Sequence, residues 1–323
     1  MHRLYRVLIN VCVVWTGLML AGSGIGGSYI FFNHLSYKSR AYLPDQDISL
    51  FKVEYPVVAF NSSEPIAAPT AFSAQAVYAV DLQSGTPLFS YNATQARHPA
   101  SVTKLMTALV SRELYYLDQV LETSLPHPTL GTVITFFGGE SQTVRSLLKA
   151  TLIQSGNDAA TILAQRHPQG YEAFIQAMND KAAQLKLDQT TFTNPTGLDD
   201  TAHFMSAKDI TTVFAVALRD SFLRETLSQS SIEIFDSSGD IKRTLYTTNQ
   251  LLFSDYVVAG KTGTTDLAGQ VLTSLVTIDG HEVIITVMGS EDRYADTIVL
   301  YDWISQTYKW VDGSELNLVH YTQ

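Results

Sequence analysis

Cysteine is almost missing from this chain. Cys12 is the only one in 323 residues, so no internal disulfide exists. Cys-x-x-Cys and His-Glu-x-x-His are absent and the 8 histidines are scattered, so no metal site is expected. Charge is sparse as well. Charged residues make up 16%, with 21 Lys and Arg against 31 Asp and Glu, a net charge of −10. No basic cluster interrupts that balance. Nucleic acid is therefore excluded as an expected partner, because phosphate binding is driven by basic patches. No repeat is evident. Gly260-Lys261-Thr262 hints at a nucleotide-binding loop, but that loop needs a glycine five residues earlier, where Asp255 stands.

One long apolar run is present. Arg3 and Arg6 precede Val7–Phe32, 26 residues without a charge. About 20 apolar residues cross a bilayer as a helix. The segment 1–32 reads as an N-terminal signal-anchor or a signal peptide. The basic start and "AGSG" after Leu20 suit a cleaved signal. The apolar run resumes through Ile25 to Phe32, which favours an anchor. Either reading places the remainder outside the cytoplasm. Residues 33–71 carry Pro44, Pro56, Pro65 and Pro69 and read as a linker, in which "ISLFKVEYPVVAF" holds one possible strand. Residues 72–312 form the globular domain, and 313–323 a C-terminal tail.

Within that domain, "AQAVYAVDLQSGTPLFSY" predicts two strands around a turn at Gln83–Gly85. A helix follows Ser101 to about Tyr115. Helical periodicity flanks a break at Ser155-Gly156-Asn157, and "GYEAFIQAMNDKAAQLKL" is amphipathic. "NPTGLDD" is a loop. Ser206 is the expected N-cap of "AKDITTVFAVALRDSFLRETL". Two strands joined at Asp279-Gly280 and a helix from Asp296 to Lys309 close the pattern. Strands at both ends with helices between them indicate an α+β domain: one sheet, helices packed on it, and a mostly helical lobe.

Three short motifs carry chemistry. In Ser101-Val-Thr-Lys104, positions three apart share a helical face, so the Lys104 amine can reach the Ser101 hydroxyl. Free N–H groups at that helix start favour a developing anion. The same spacing recurs at Ser49–Lys52, in the linker, and at Ser146–Lys149, read as a solvated helix face. Ser155-Gly156-Asn157 either projects two polar side chains the same way or is a plain capped turn; Ser90-Tyr-Asn92 has the same pattern. Lys261-Thr262-Gly263-Thr264 follows a plausible strand. There Lys and Thr can bind a carboxylate and Gly admits a close backbone, although alone it also reads as a polar turn.

The three motifs stand in order, 54 and then 106 residues apart. Together they match the set shared by penicillin-binding proteins and class A β-lactamases. The chain resembles the low-molecular-mass penicillin-binding proteins, D-alanyl-D-alanine carboxypeptidases of serine peptidase family S11, from about Phe72 to Trp310. "PASVTKLMTAL", "QSGNDAATILA", "AMNDKAAQL", "FTNPTGL", "SAKDI" and "GKTGTTDLAGQVL" carry the resemblance. It implies a β-lactamase/DD-peptidase-like fold with an antiparallel sheet flanked by helices. It also implies removal of the terminal D-alanine from peptidoglycan stem peptides through an acyl-enzyme on Ser101, with β-lactams as inhibitors and no cofactor. Lys104 would be the base and Ser155 the proton donor to the leaving amine. Asn157 would orient the substrate amide. Lys261, Thr262 and Thr264 would hold the terminal carboxylate, and Gly263 would let the peptide lie along the strand. The N–H groups of Ser101 and Thr264 would form the oxyanion hole. The implied location is the bacterial cell membrane with the catalytic domain outside, or a secreted or periplasmic protein if the N-terminus is cleaved.

Some family members place an arginine at the carboxylate site. In this chain Thr248 and Ala295 fall near that place and Arg293 two residues off, so carboxylate binding is expected to lean on Lys261. The alternatives are a DD-endopeptidase, a class A-like β-lactamase and a silent penicillin-binding wall scaffold. The β-lactamase reading needs a deacylating Glu, and "TFTNPTGLDD" offers only Asp199 and Asp200.

Overall fold

The structure, a computed structural model, describes residues 54–58, 67–137 and 139–312. The apolar run 7–32, most of the proposed linker, the Ser49–Lys52 pair and the tail 313–323 lie outside the described residues. Among those described, no helix is long and apolar enough to cross a membrane.

Strand β1 (Glu54–Val58) falls in the segment read as a linker. The expected hairpin follows: β2 (Ala76–Asp81) and β3 (Pro87–Tyr91) pair antiparallel. Gly85 turns it at φ +70°, and the Asp81 carboxylate accepts the Ser84 N–H and hydroxyl. A 3₁₀ turn (Ala100–Thr103) leads into α1 (Lys104–Leu114). The helical lobe continues with the short pair β4 (Val120–Glu122) and β5 (Ser141–Thr143). Next come α2 (Val144–Leu152), α3 (Asn157–Gln165) and α4 (Tyr171–Gln184).

The run from Ser206 divides where one helix was expected. Ser206 caps α5 (Ala207–Ala217) by accepting the Asp209 N–H. The chain then restarts as α6 (Ser221–Leu227), capped by Asp220 on the Leu223 N–H. Asp is a poor interior helix residue and a strong N-cap, so it divides the periodicity. The hairpin β6 (Ser231–Phe235) and β7 (Lys242–Tyr246) was not legible in the sequence. Its strands have mostly exposed side chains and so lack a clear alternation.

Strands β8 (Val257–Thr265), β9 (Gly269–Ile278) and β10 (His281–Ser290) complete an antiparallel sheet in the order β3-β2-β10-β9-β8. Asp279 (φ +50°) and Gly280 (φ +84°) form the two-residue turn expected there. Helix α7 (Arg293–Thr307) starts three residues earlier than expected, because Asp292 caps the N–H groups of Tyr294 and Ala295. β11 (Tyr308–Asp312) then pairs with β1.

Alternation along the sheet supplies two cores. Val271, Leu275, Ile284 and Met288 face α1, α5 and the helical lobe. Leu272, Val276, Ile285 and Val287 face Leu300 and Ile304 of α7. With both faces covered, β8 remains an edge strand, open for a peptide to pair with its free side.

Candidate active site

The turn that carries Ser101 is strained and closely packed. Ala100 adopts φ +50°, a left-handed conformation that costs a non-glycine residue about 1–2 kcal/mol. Two glycines hold it there. A Cβ on Gly263 of β8 would lie 2.8 Å from the Ser101 backbone nitrogen and 2.9 Å from the Ala100 Cβ. A Cβ on Gly197, itself at φ +82°, would lie 1.8 Å from the Ala100 carbonyl oxygen. The chain that closely approaches Gly263 is thus the protein's own nucleophile turn, where the sequence suggested a ligand.

Lys104 begins α1 one turn after Ser101, and its Nζ lies 2.8 Å from Ser101 Oγ. The same nitrogen donates to the Thr196 carbonyl at 2.8 Å. A neutral amine has two N–H groups and one lone pair, so one N–H on Thr196 leaves the lone pair for the serine proton. Lys104 is fully buried. Its pKa is held well below 10.5, first by that burial and second by the charge of Lys261; Asp158 opposes both.

The Thr196 carbonyl belongs to the loop read as "NPTGLDD". Asn194 Oδ1 accepts the N–H groups of Thr196 and Gly197, which shapes the turn. Thr107 of α1 donates its hydroxyl to the Pro195 carbonyl at 2.6 Å. His203, driven by burial to a pKa of about 4, is neutral. Its Nδ1 accepts the Thr193 N–H, so its Nε2 carries the proton toward Thr103 Oγ1, 2.9 Å away. Asp199 accepts the Leu267 N–H and Asp200 the Ala202 N–H, so both proposed stand-ins for a deacylating Glu are already engaged.

Ser155 sits between α2 and α3, and Asn157 is the first residue of α3. Ser155 takes φ +62°, and its Oγ lies 2.9 Å from Lys261 Nζ. Asn157 donates its amide to the Leu130 carbonyl at 2.7 Å and its backbone N–H to Thr132. It thereby fastens the 129–137 loop to the motif. Asp158 secures the same loop by accepting the N–H groups of Ile134 and Thr135. Farther out, Arg243 of β7 forks onto Glu140, a pair whose carboxylate side chain is 1% exposed. Arg243→Ala would leave that carboxylate unpaired. Urea unfolding is expected to show a loss of about 3–5 kcal/mol, the usual consequence of breaking a buried pair.

Along β8, Lys261 and Gly263 face Ser155 and Ser101, while Thr262 and Thr264 point the other way. Lys261 is 1% exposed and also donates to the Thr262 carbonyl at 2.9 Å. Burial, then the nearby Arg293, lowers its pKa to about 7. The Thr262 hydroxyl meets that of Thr248, and the Thr264 hydroxyl accepts from Arg293 Nη2. Arg293 Nη1 also donates to the Gly263 carbonyl at 2.8 Å. A guanidinium thus stands beside the motif, although the sequence put Arg293 two residues off that place. Sequence spacing missed it because Arg293 starts α7 and reaches back across the sheet end.

The two decoys among the described residues are structural. Ser146 is buried rather than on the solvated face expected, its N–H donating to the N-cap Thr143, while Lys149 is half-buried on α2. Ser90 and Asn92 are exposed at the end of β3. Among the described residues no group of three His, Cys, Asp or Glu side chains could hold a metal ion.

Known proteins resemble this chain in sequence and fold. The chain is 30% identical over 252 residues to the D-alanyl-D-alanine carboxypeptidase DacF of Bacillus subtilis, covering 74% of this chain and 64% of that protein. The chain therefore spans just under two thirds of that relative's length. It is 31% identical to a D-alanyl-D-alanine endopeptidase of Escherichia coli, over 70% of this chain and 75% of that one. A crystal structure of a D-alanyl-D-alanine carboxypeptidase from Mycobacterium tuberculosis superposes with a TM-score of 0.69 at 26% identity, over 75% of this chain and 94% of that one. The Peptidase_S11 family model, described as D-alanyl-D-alanine carboxypeptidase, matches residues 62–292. With that match laid over the serine–lysine pair and the Lys261 strand edge, the chain belongs to the Peptidase_S11 family.

Proposed function

We propose that the chain is a serine D-Ala-D-Ala carboxypeptidase that trims peptidoglycan stem peptides. The observation that carries this reading is the 2.8 Å contact between a buried, pKa-lowered Lys104 amine and Ser101 Oγ. A serine hydroxyl needs such a base to become a nucleophile.

In this reading the peptide lies along the open edge of β8, with its terminal carboxylate near Lys261, Thr264 and Arg293. Ser101 Oγ attacks the carbonyl between the two D-alanines as its proton passes to Lys104. The oxyanion is held by the N–H groups of Ser101 and Thr264, each worth about 3–4 kcal/mol where such donors have been removed. Ser155, held by Lys261, relays that proton from Lys104 to the leaving D-alanine nitrogen, and Lys104 is neutral again. Water then attacks the ester and gives a proton to Lys104, which passes it to Ser101 Oγ as the shortened peptide leaves. A β-lactam enters the same path as an acylating inhibitor.

Labelling with fluorescent penicillin tests the assignment. One covalent adduct on Ser101 is expected, absent in Ser101→Ala; full labelling of that variant would refute it. Digestion of muropeptides separates the nearest second reading, favoured by the endopeptidase relative. Loss of a single D-alanine supports the carboxypeptidase, and splitting of cross-linked dimers the endopeptidase.

Lys261 sets a pH dependence. Its lowered pKa means that it loses its proton, and the carboxylate one of its two cations, as pH rises through about 7. The kcat/KM for a D-Ala-D-Ala peptide is expected to fall across that range, and Lys261→Arg to move the fall to higher pH. Lys104 acts in the opposite sense, since deprotonation activates it. A profile that is flat on the alkaline side would remove Lys261 from carboxylate binding.

The reading includes export, with residues 7–32 as a membrane anchor or cleaved signal, supported by their uncharged apolar composition. Carbonate extraction of membranes with sequencing of the mature N-terminus tests this. An unprocessed, soluble cytoplasmic chain would contradict it.

A further inference from the structure

A second groove lies at the end of the sheet where a bound stem peptide would leave the catalytic cleft. It has a volume of about 740 Å³ and is bordered by Phe72, Gln75, Tyr91, Asn92, Gln95 and Arg97. Antiparallel order puts the C-terminal ends of β8, β10 and β3 and the N-terminal ends of β9 and β2 at one end of the sheet. The Lys261 end of the motif takes the substrate carboxylate, so the peptide's N-terminal part must run past Thr264 to Thr265 and out over that end.

The floor of this path has no side chains at two points. Gly269 and Gly289 both have positive φ, and a Cβ on Gly269 would lie 3.4 Å from the Gly289 Cα. A Cβ on Gly289 would in turn lie 3.2 Å from both Arg97 Nη2 and the Gln75 side chain. From β8 to β2 is three strand spacings, about 14 Å, the reach of about four extended residues. The group attached to the N-terminus of a stem peptide of that length arrives at the groove.

The groove's chemistry suits a sugar. Tyr91 keeps 44% of its surface exposed and packs edge-wise on Phe72, with ring centroids 5.4 Å apart. Phe72 in turn packs on Phe89 at 5.9 Å, so the aromatic platform is fixed. The electron-rich face of such a ring attracts the polarised C–H groups of a pyranose. Around it stand neutral amides and one cation. The Arg97 guanidinium donates to the amide oxygens of Gln75 and Gln95, with no carboxylate among the groove's lining residues. Asn92 is held by the Gln75 carbonyl at 3.0 Å. A few placed polar groups beside an aromatic surface are what a small-ligand site requires.

We propose that this groove binds the N-acetylated aminosugar strand that carries the stem peptide. The sugar stacks on Tyr91 and is hydrogen-bonded through its acetamido and hydroxyl groups by Gln75, Asn92, Gln95 and Arg97. The proposal rests on the carboxypeptidase reading for its substrate and adds to it a second point of contact.

The full chain in detergent, and its Tyr91→Ala and Gln95→Ala variants, would be given a bare D-Ala-D-Ala peptide and the same peptide on uncross-linked wall glycan. Wild type is expected to favour the glycan-linked substrate in kcat/KM by about tenfold, the size of one aromatic contact. Tyr91→Ala should lose that preference while its rate on the bare peptide is unchanged. Equal wild-type rates, or an equal loss on both substrates in Tyr91→Ala, would overturn the proposal. Release of D-alanine from neither substrate would count against the carboxypeptidase reading instead. A titration with tri-N-acetylchitotriose followed by NMR then decides the groove by itself. Saturable shifts that vanish in Tyr91→Ala support it, and their absence in wild type overturns it.

Discussion

Lys104→Ala is expected to fold and to acylate about 10²–10⁴-fold more slowly with penicillin, the range typical of removing a general base. The fold should tolerate the change because the lost group is a buried amine whose charged form was already disfavoured by its surroundings. Its stem packs at the start of α1, so Lys104→Met, which keeps most of that volume, is the companion variant. Stopped-flow labelling measures the rate and thermal unfolding the stability. Unchanged acylation in both variants would show that the base is elsewhere. Slow acylation with intact unfolding is the expected pair of results.

The second large effect is expected at a residue that does no chemistry. Gly197→Ala would place a methyl group 1.8 Å from the Ala100 carbonyl oxygen and 2.4 Å from its carbon. That carbonyl shares a peptide plane with the Ser101 N–H, so pushing one turns the other. Overpacking of this kind costs about 1–3 kcal/mol, and the left-handed φ adds about 1–2 kcal/mol. Misaiming one oxyanion donor is expected to lower acylation by about 10²–10³-fold. Gly239→Ala is the control. Its φ of +85° carries the same backbone strain, yet nothing lies within 4 Å of the added carbon. If the two variants lost stability and acylation equally, the contact with Ala100 would not be what positions the nucleophile.

Much of the fold was legible because periodicity and turn chemistry are local. The β2–β3 and β9–β10 hairpins, α1 to α4 and the Ser206 cap all follow from residues a few positions apart. The misses share one physical cause. β4, β5 and β11 are short strands whose partners are distant or weakly patterned, and Asp220 ends a periodicity that a window of apolar residues carries straight through. The Ser146–Lys149 and Ser90–Asn92 matches show the same limit at the site: equal spacing at Ser146–Lys149 yields a packed helix, in which Ser146 bonds to Thr143 and the Phe235 carbonyl.

The sequence by itself determined which groups take part: Ser101 with Lys104 one helical turn away, Ser155 with Asn157 at a helix break, and the Lys261–Thr264 strand. Those are short-range relations, set by the helix repeat and by strand alternation. Only the tertiary structure decided what surrounds them. It placed the Thr196 carbonyl on the Lys104 amine, brought Arg293 from α7 to Thr264, and held Ala100 in its strained turn between Gly263 and Gly197. Each of these joins residues separated by tens to more than a hundred positions. Such contacts exist because both faces of the sheet are buried at once, which no local pattern encodes.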